Sequence, residues 1–461
     1  MGGAAPRPEA PAPVAELLAT LRAGGHSAYV VGGCLRDALL GREPSDWDLT
    51  TDAPPERIQA LFPRSLYENR FGTVVVRHAH GLYEITAFRR DVSYTDHRRP
   101  DRVEFGSSIE EDLARRDFTV NAMAWGGKPD AAEGFVDPHG GRDDLASRLL
   151  RAVGEADLRF HEDALRMVRA VRLAATLDFE IEAGTLAAIE RNAGLAAHLS
   201  GERIAAEMGK LLAAPRPSVG LELMARTGLL EMVAPELARQ AGVPQNKAAG
   251  GDLWQHTLRT VDAAPNRPIV RLAALLHDIG KPQTLAGGHF HEHEKVGAAM
   301  ARDFLSRIHA TRVTQERVAH LVRHHMFDYK PGWTDAAVRR FIRRAGPGAI
   351  DDLLALRAAD NLGSGQEEGA GNLAELASRV RKELEARVPL GRHQLALDGN
   401  DLRAEVGLKP GPAIGRILDE LTERVVAEPA LNDRAILLEM ARAMAGGPAG
   451  AESMNPPDEV G

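Results

Sequence analysis

Two carboxylates one residue apart, Asp46 and Asp48 in "DWDLTT", follow a glycine pair, Gly32-Gly33, and an Arg-Asp pair, Arg36-Asp37. If "DWDLTT" is a strand, residues i and i+2 project from one face. Two carboxylates there repel each other unless cations lie between them. Magnesium suits such a pair, because it takes carboxylate oxygens and keeps positions for phosphates and water. Two such ions can activate an attacking hydroxyl and neutralise a leaving pyrophosphate. A Gly-Gly turn ahead of a helix lets backbone N–H groups approach phosphate oxygens, and Arg36 would add positive charge. Glu84, in "YEITAF", is a candidate third carboxylate. Taken singly, each motif is more often a solvated strand edge or an ordinary turn.

A second group lies downstream. His277 and Asp278 adjoin in "LLHDIGKP", His256 is 21 residues earlier in "WQHT", and Asp360 closes "LRAAD". An adjacent His-Asp pair with a distant His and Asp can surround a divalent transition metal, water completing the shell. Water held that way loses part of its pKa and becomes a nucleophile for phosphoesters. For "HD" alone, a helix end with a satisfied histidine is the commoner explanation. "HFHEHE" at 289–294 and "RHHM" at 323–326 add His293, His324 and His325. These histidines are candidates for a second metal site, and the sequence does not choose between them.

The third group is "EDALR", 162–166, at an expected helix start. Asp163 and Arg166, three apart, would share a helix face, and Glu162 and Arg166, four apart, would make a surface ion pair. A chemical reading stands beside that one. Cytosine and adenine each carry an exocyclic amino group next to an unprotonated ring nitrogen. A carboxylate accepts from the first and a guanidinium donates to the second. Guanine and uracil present a carbonyl and an N–H there, so both contacts fail.

These groups need elements to hold them. "AYVV" at 28–31, "TVVVRH" and "YEITAF" are apolar or β-branched runs that predict strands, joined by "DWDLTT" in a small mixed sheet. "PPERIQALF" begins a helix at its prolines. From Glu155 to about residue 245 the spacing of apolar residues is helical, as in "HEDALRMVRAVRLAATL". "NKAAGGD" and "GSGQEEGAGN" read as linkers. The expected division is a leader at 1–13, a head at 14–153, a neck at 154–245, a histidine-rich helical domain at 250–365, a helical tail at 373–445 and a disordered end at 446–461. The fold class is α+β. Of the 461 residues, 44% are hydrophobic and 5% aromatic, with a net charge of −8 and one cysteine, Cys34. No apolar run approaches the ~20 residues of a membrane span. The N-terminus lacks a signal layout, and one cysteine cannot make an internal disulfide, so a cytoplasmic setting is expected. The acidic balance still allows local basic patches such as "HRRPDR" and "RMVRAVR" to meet phosphate.

"GGCLRD", "DWDLTT", "RRDFTVNAMAW" at 115–125 and "DPHGGRDDL" at 137–145 occur in one order within one domain. This set resembles the class II nucleotidyltransferases of the polymerase-beta superfamily, the CCA-adding enzymes and bacterial poly(A) polymerases, over about residues 26–215. The resemblance implies a polymerase-beta-like head. It implies that Asp46 and Asp48 bind magnesium, that Gly32, Gly33 and Arg36 hold the triphosphate, and that Arg115, Arg116, Asp117 and Asn121 shape the nucleotide and ribose pocket. For Asp117 and Asn121, helix capping is the alternative. "EDALR" matches the family's E-D-x-x-R protein template. "GERIAAEMGKLL" resembles its next helical motif, in which Arg203 is expected to be structural. Residues 86–105 resemble the flexible loop with which CCA-adding enzymes switch from CTP to ATP, a loop shortened in enzymes that add only CC. Residues 250–365 resemble the HD phosphohydrolases, although Glu292 precedes His293 where relatives have glycine. The resemblance therefore implies CCA addition to tRNA from CTP and ATP, with an accessory phosphohydrolase or 2′,3′-cyclic phosphodiesterase activity. An A-adding enzyme, a poly(A) polymerase, and an HD phosphohydrolase with a nucleotide-sensing N-terminal half remain as alternatives.

Overall fold

The computed structural model describes residues 8–67, 72–93, 102–105, 108–245, 247–367 and 370–446. The loop tip expected at 94–101, most of the leader, and the C-terminal end from residue 447 lie outside these. The chain forms two compact units, one running to Arg239 and including Arg307–Ala310, the other comprising Gln240–Ser306 and the chain from Thr311 on.

In the first unit, nine strands follow in order: β1 Ala28–Val31, β2 Asp48–Thr51, β3 Ser65–Tyr67, β4 Thr73–His78, β5 Gly81–Ala87, β6 Arg89–Ser93, β7 Arg102–Phe105, β8 Ala124–Gly127 and β9 Gly134–Val136. Seven of them form one sheet, ordered β3-β4-β5-β2-β1-β8-β9, while β6 and β7 pair separately. The β2/β5 pair is parallel and the other ladders of the large sheet are antiparallel. This is the mixed sheet expected. β1, "AYVV", is buried at all four positions, as befits a strand covered on both faces. Tyr29 and Val31 pack with Phe88, Ile109, Leu113, Ala122, Ala124 and Val153 to form the core on one face.

"DPHGGRDDL" locks this face. Asp137 accepts from the backbone N–H groups of Gly141 (2.7 Å) and Arg142 (3.0 Å) at the start of the helix Gly141–Ala146. Gly140 has φ 71°, which glycine adopts without steric cost. A Cβ on Gly141 would lie 2.2 Å from the carbonyl oxygen of Thr119 and 2.8 Å from Met123 Cγ. The helix therefore seats directly on the turn Thr119–Asn121. Gly141→Ala is expected to lower stability by about 1–3 kcal/mol through overpacking, measured by urea denaturation. An unchanged midpoint would mean that the turn yields freely.

The rest of the first unit is mostly helical, with helices at Ala156–Glu162, Leu165–Leu177, Ala183–Asn192, Gly201–Leu212 and Pro217–Arg226. One departure from the helical neck is a parallel ladder of two residues, Leu149-Leu150 with Glu180-Ile181. Asp178, at φ 61°, ends the preceding helix, and the released backbone pairs with the chain leaving the head.

In the second unit, helices Leu253–Ala263, Pro268–Leu276, His293–Arg307, Arg312–His324 and Ile350–Gly363 surround the histidine-rich centre, with a short hairpin of Leu285–Ala286 and His289–Phe290. Two glycines set close approaches here. A Cβ on Gly363 would lie 2.2 Å from Thr260 Oγ1, and one on Gly280 would lie 2.4 Å from the His293 carbonyl oxygen. Later helices, Gly399–Glu405, Pro412–Ala427 and Arg434–Ala445, close their own core around Leu402, Leu421, Val425 and Leu437. Among the described residues, no helix is long and apolar enough to cross a membrane.

Candidate active site and metal centre

Asp48 opens β2 and sits in register with Glu84 of β5 across the parallel pair. Paired residues on neighbouring strands direct their side chains to the same face, so these two carboxylates are neighbours. Asp46 is not on the strand, contrary to expectation. It lies in a bend that precedes β2, where Ser45 Oγ donates to its Oδ1 at 3.0 Å. Strand pairing begins only at Asp48 with β5 and at Leu49 with β1. The two aspartates still sense each other. Burial raises the pKa of Asp48, the charge of Asp46 raises it further, and Arg116 opposes both.

Gly32 forms the floor between these groups. Its φ is 81°, and a Cβ there would lie 2.9 Å from Arg116 Nη1 and 3.6 Å from Asp48 Oδ2. No larger residue fits in that conformation and that space. Cys34 braces the next layer: its Sγ donates to the Val31 carbonyl at 3.1 Å and accepts from the Asp48 N–H at 3.4 Å. Burial pushes this thiol up to about 12.

Behind the glycines runs a chain of contacts. Arg36 Nη1 donates to Asn121 Oδ1 at 2.6 Å, and Asn121 Nδ2 donates to Asp117 Oδ1 at 3.1 Å. Asp117 Oδ2 pairs with Arg169 at 3.0 Å. Arg36 Nη2 lies 3.5 Å from where a Gly33 Cβ would be, so it reaches the turn. Its Nε and Nη2 are bonded to Asp37. Asp117 also accepts from the Phe118 N–H at 2.8 Å, so it caps the Thr119–Asn121 turn as well as linking the network. Burial works against its charge, but Arg169 and Asn121 prevail and hold its pKa below the ordinary value. Arg115 turns toward Asp112, donating from Nε at 3.0 Å and Nη2 at 2.7 Å. Arg169 was read only as part of a basic patch. Its place three residues after Arg166, on the same helix face, was the available signal.

"EDALR" spans a break rather than one helix. Asp163 is extended, with φ −150° and ψ 102°, between the helices Ala156–Glu162 and Leu165–Leu177. Its Oδ1 accepts from the Leu165 N–H at 3.1 Å, the capping bond that draws aspartate out of helices. Asp163 and Arg166 therefore do not share a helical face as expected. Arg166 bonds Glu162 at 2.6 Å, the Arg159 carbonyl at 3.1 Å and the Arg115 carbonyl at 2.9 Å. The Glu162–Arg166 pair exists, but Arg166 is buried and only 8% exposed. Asp163 Oδ2 is held by Arg203 at 2.7 Å, in keeping with the structural role expected of Arg203.

In the second unit, His256, His277, Asp278 and Asp360 come together from three helices and the turn after one of them. His256 Nε2 lies 3.1 Å from His277 Nε2, 3.2 Å from Asp360 Oδ1 and 3.5 Å from Asp278 Oδ2. His277 Nε2 lies 3.1 Å from Asp278 Oδ2. All four residues are buried. His277 Nδ1 lies 2.8 Å from the Ala274 carbonyl, which fixes the proton there and leaves Nε2 as a ligand. Burial lowers the His277 pKa and keeps the ring neutral. Burial opposes the charge of Asp360 and Asp278. The histidines outweigh it, with Lys247 assisting at Asp360 and Lys281 at Asp278, and both carboxyls are held below the usual range. Two ring nitrogens and carboxylate oxygens facing one another at these distances fit a divalent cation. His293 and His325 reach the other side of Asp278, at 3.4 and 3.6 Å. His324 does not. It stacks on His320 with ring centroids 4.5 Å apart, and burial, His320, Arg323 and Arg344 push its pKa down to about 4.

Three family models match the chain: "Poly A polymerase head domain" over residues 28–151, "Probable RNA and SrmB- binding site of polymerase A" over 178–240, and "HD domain" over 236–363. The CCA-adding enzyme of Geobacillus thermodenitrificans is 49% identical over 46% of this chain. That match spans about half the relative's length, 52%. The CC-adding tRNA nucleotidyltransferase of Thermus thermophilus is 37% identical over 86% of this chain and 89% of the relative. The crystal structure of the Bacillus stearothermophilus CCA-adding enzyme in complex with CTP superposes with a TM-score of 0.71 at 32% identity, covering 93% of this chain and 96% of that one. By its head, by its HD domain and by likeness along nearly its whole length, the chain belongs to the tRNA nucleotidyltransferase family of CCA-adding enzymes.

Proposed function

We propose that this chain adds CCA to the 3′ end of tRNA without a nucleic acid template, using CTP and ATP and releasing pyrophosphate. The observation that carries this reading is the register of Asp48 with Glu84, with Asp46 beside it and the Gly32 turn beneath. The RNA 3′-hydroxyl attacks the α-phosphate, a new O–P bond forms, and the bond to pyrophosphate breaks. Magnesium at Asp46 and Asp48 supplies the charge that activates the hydroxyl and stabilises the leaving group. Gly32 and Gly33 admit the triphosphate to the backbone, and Arg116 faces it. Arg36, Asp117 and Asn121 hold the turn and the pocket wall together. We assign the head to 14–153, the neck with its base-reading pair to 154–245, the HD domain to 250–365 and the tail to 373–445, in a cytoplasmic setting.

Incubation with tRNA lacking its 3′ end, with CTP alone, ATP alone, and both, tests the reading. Growth by CC and then A is expected, and no growth would overturn it. The likeness to the Thermus CC-adding enzyme favours a second reading, in which extension stops after CC even with ATP present.

Base choice rests on Asp163 and Arg166 in this proposal. An ionised carboxylate has about four acceptor positions, so Asp163 can stay bonded to Leu165 and Arg203 and still accept from a base amino group. Asp163→Ala and Arg166→Ala are expected to raise UTP and GTP incorporation relative to CTP by roughly ten- to two-hundred-fold, about 1–3 kcal/mol of discrimination. If the pair only holds the helices, both variants will lose melting temperature and keep their preference.

We assign metal-dependent phosphoester hydrolysis to the HD domain, with a divalent transition metal on His256, His277, Asp278 and Asp360. Hydrolysis of a 2′,3′-cyclic phosphate or a phosphomonoester after metal loading, and none after chelation, is the expected result.

A further inference from the structure

His293 and His325 are not needed by the four-residue centre, yet they are built as carefully. Their Nδ1 atoms lie 3.0 Å from the Phe290 carbonyl and 2.7 Å from the Val322 carbonyl. A carbonyl only accepts, so each Nδ1 carries the proton and each Nε2 presents a lone pair. Both lone pairs face Asp278 Oδ1, at 3.4 and 3.6 Å. That oxygen and both Nε2 atoms are buried without a hydrogen-bond partner among the described residues. Side-chain exposure is 7% for His293, 1% for His325 and 2% for Asp278.

Three buried acceptors converging without a donor are costly. A water molecule has two hydrogens, and one acceptor would stay unmet. Protonating both rings would set two imidazolium ions and the Lys281 ammonium, 2.6 Å from Oδ2, around one carboxylate. A divalent cation satisfies all three atoms at once. The two oxygens of Asp278 are already divided in this sense: Oδ2 faces His256 and His277, and Oδ1 faces His293 and His325. The close approach at Gly280, where a Cβ would lie 2.4 Å from the His293 carbonyl, brings His293 to its place.

We infer that the HD centre binds two divalent ions, the second on Asp278 Oδ1, His293 Nε2 and His325 Nε2, with Asp278 as the shared ligand. The imidazole-rich set suits a first-row transition metal. Two ions side by side suit a phosphate ester whose oxygens contact both. This deepens the HD reading above and rests on it.

The test is metal content. The full chain is loaded with Mn²⁺, desalted and analysed for manganese per chain, with electron paramagnetic resonance for spin coupling between neighbouring ions. The expected result is two ions per wild-type chain with a coupled signal. One ion and an uncoupled signal are expected in the His293→Ala/His325→Ala double variant. One ion in wild type, with the same content in the double variant, would overturn the second site and leave the first standing. No ion in wild type would overturn both. If the double variant does not fold, the wild-type spectrum decides alone, because coupling requires two adjacent ions.

Discussion

Asp48→Asn is expected to lower incorporation of both CTP and ATP by at least roughly a thousandfold, because charge stabilisation by positioned ions supplies several kcal/mol to every addition step. The measurement is extension of tRNA lacking its 3′ end, nucleotide by nucleotide. The same variant is expected to be no less stable than wild type without metal. Burial and the charge of Asp46 raise the pKa of Asp48 in the folded chain, so the folded state favours its protonated form. Its charge then works against folding as pH rises through that raised value, and an amide removes the cost. Thermal melts in chelator at neutral pH check this half. Near-normal incorporation by folded Asp48→Asn would remove the metal-carboxylate reading of the head. Asp46, exposed and ahead of the strand, is expected to lose activity on the same substitution for the same reason.

Asp278→Asn is expected to abolish phosphoester hydrolysis in the HD domain while tRNA extension stays near the wild-type rate. Asparagine is the informative choice. Asp278 pairs with the buried Lys281 at 2.6 Å, and alanine would leave that ammonium without its partner, at about 3–5 kcal/mol. The amide keeps an acceptor for Lys281 and removes the charge that a cation needs. The depressed pKa of Asp278, set against burial by His277 and Lys281, means that its contribution to stability is present above the unfolded value and fades as pH falls through the folded one. Loss of tRNA extension in a folded Asp278→Asn chain would show that the two activities are not chemically separate.

Much of this was legible because the signals are local. "AYVV", "TVVVRH" and "YEITAF" are strands in the structure at β1, β4 and β5, since β-branched runs of that length have few other stable uses. The residues of the HD centre converge as their types suggested. What stayed hidden depends on distant partners. Asp46 falls off the strand because β2 begins where β1 and β5 begin to pair with it, and neither limit is written in "DWDLTT". The break at Asp163 is invisible in "HEDALRMVRAVRLAATL", whose apolar spacing runs on unbroken. It arises from a capping carboxylate and from Arg166 bonding to carbonyls of Arg159 and Arg115. His324 and His325 are equivalent on paper. Adjacent helical residues point roughly 100° apart, and only the packing of that helix tells which one meets Asp278. The ladder of Leu149-Leu150 with Glu180-Ile181 is too short to leave any pattern.

Cys34 turns the polymerase head into its own reporter. It is the single cysteine of the chain, it is buried, and it accepts a bond from the backbone of Asp48. A thiol held at about 12 is almost wholly uncharged at neutral pH, and thiolate is the form that reacts. Alkylation must therefore wait for the segment between the glycine turn and β2 to open. Labelling kinetics of the unmodified protein then read the opening free energy of the catalytic strand itself, and the slowing produced by nucleotide measures how firmly the substrate closes it.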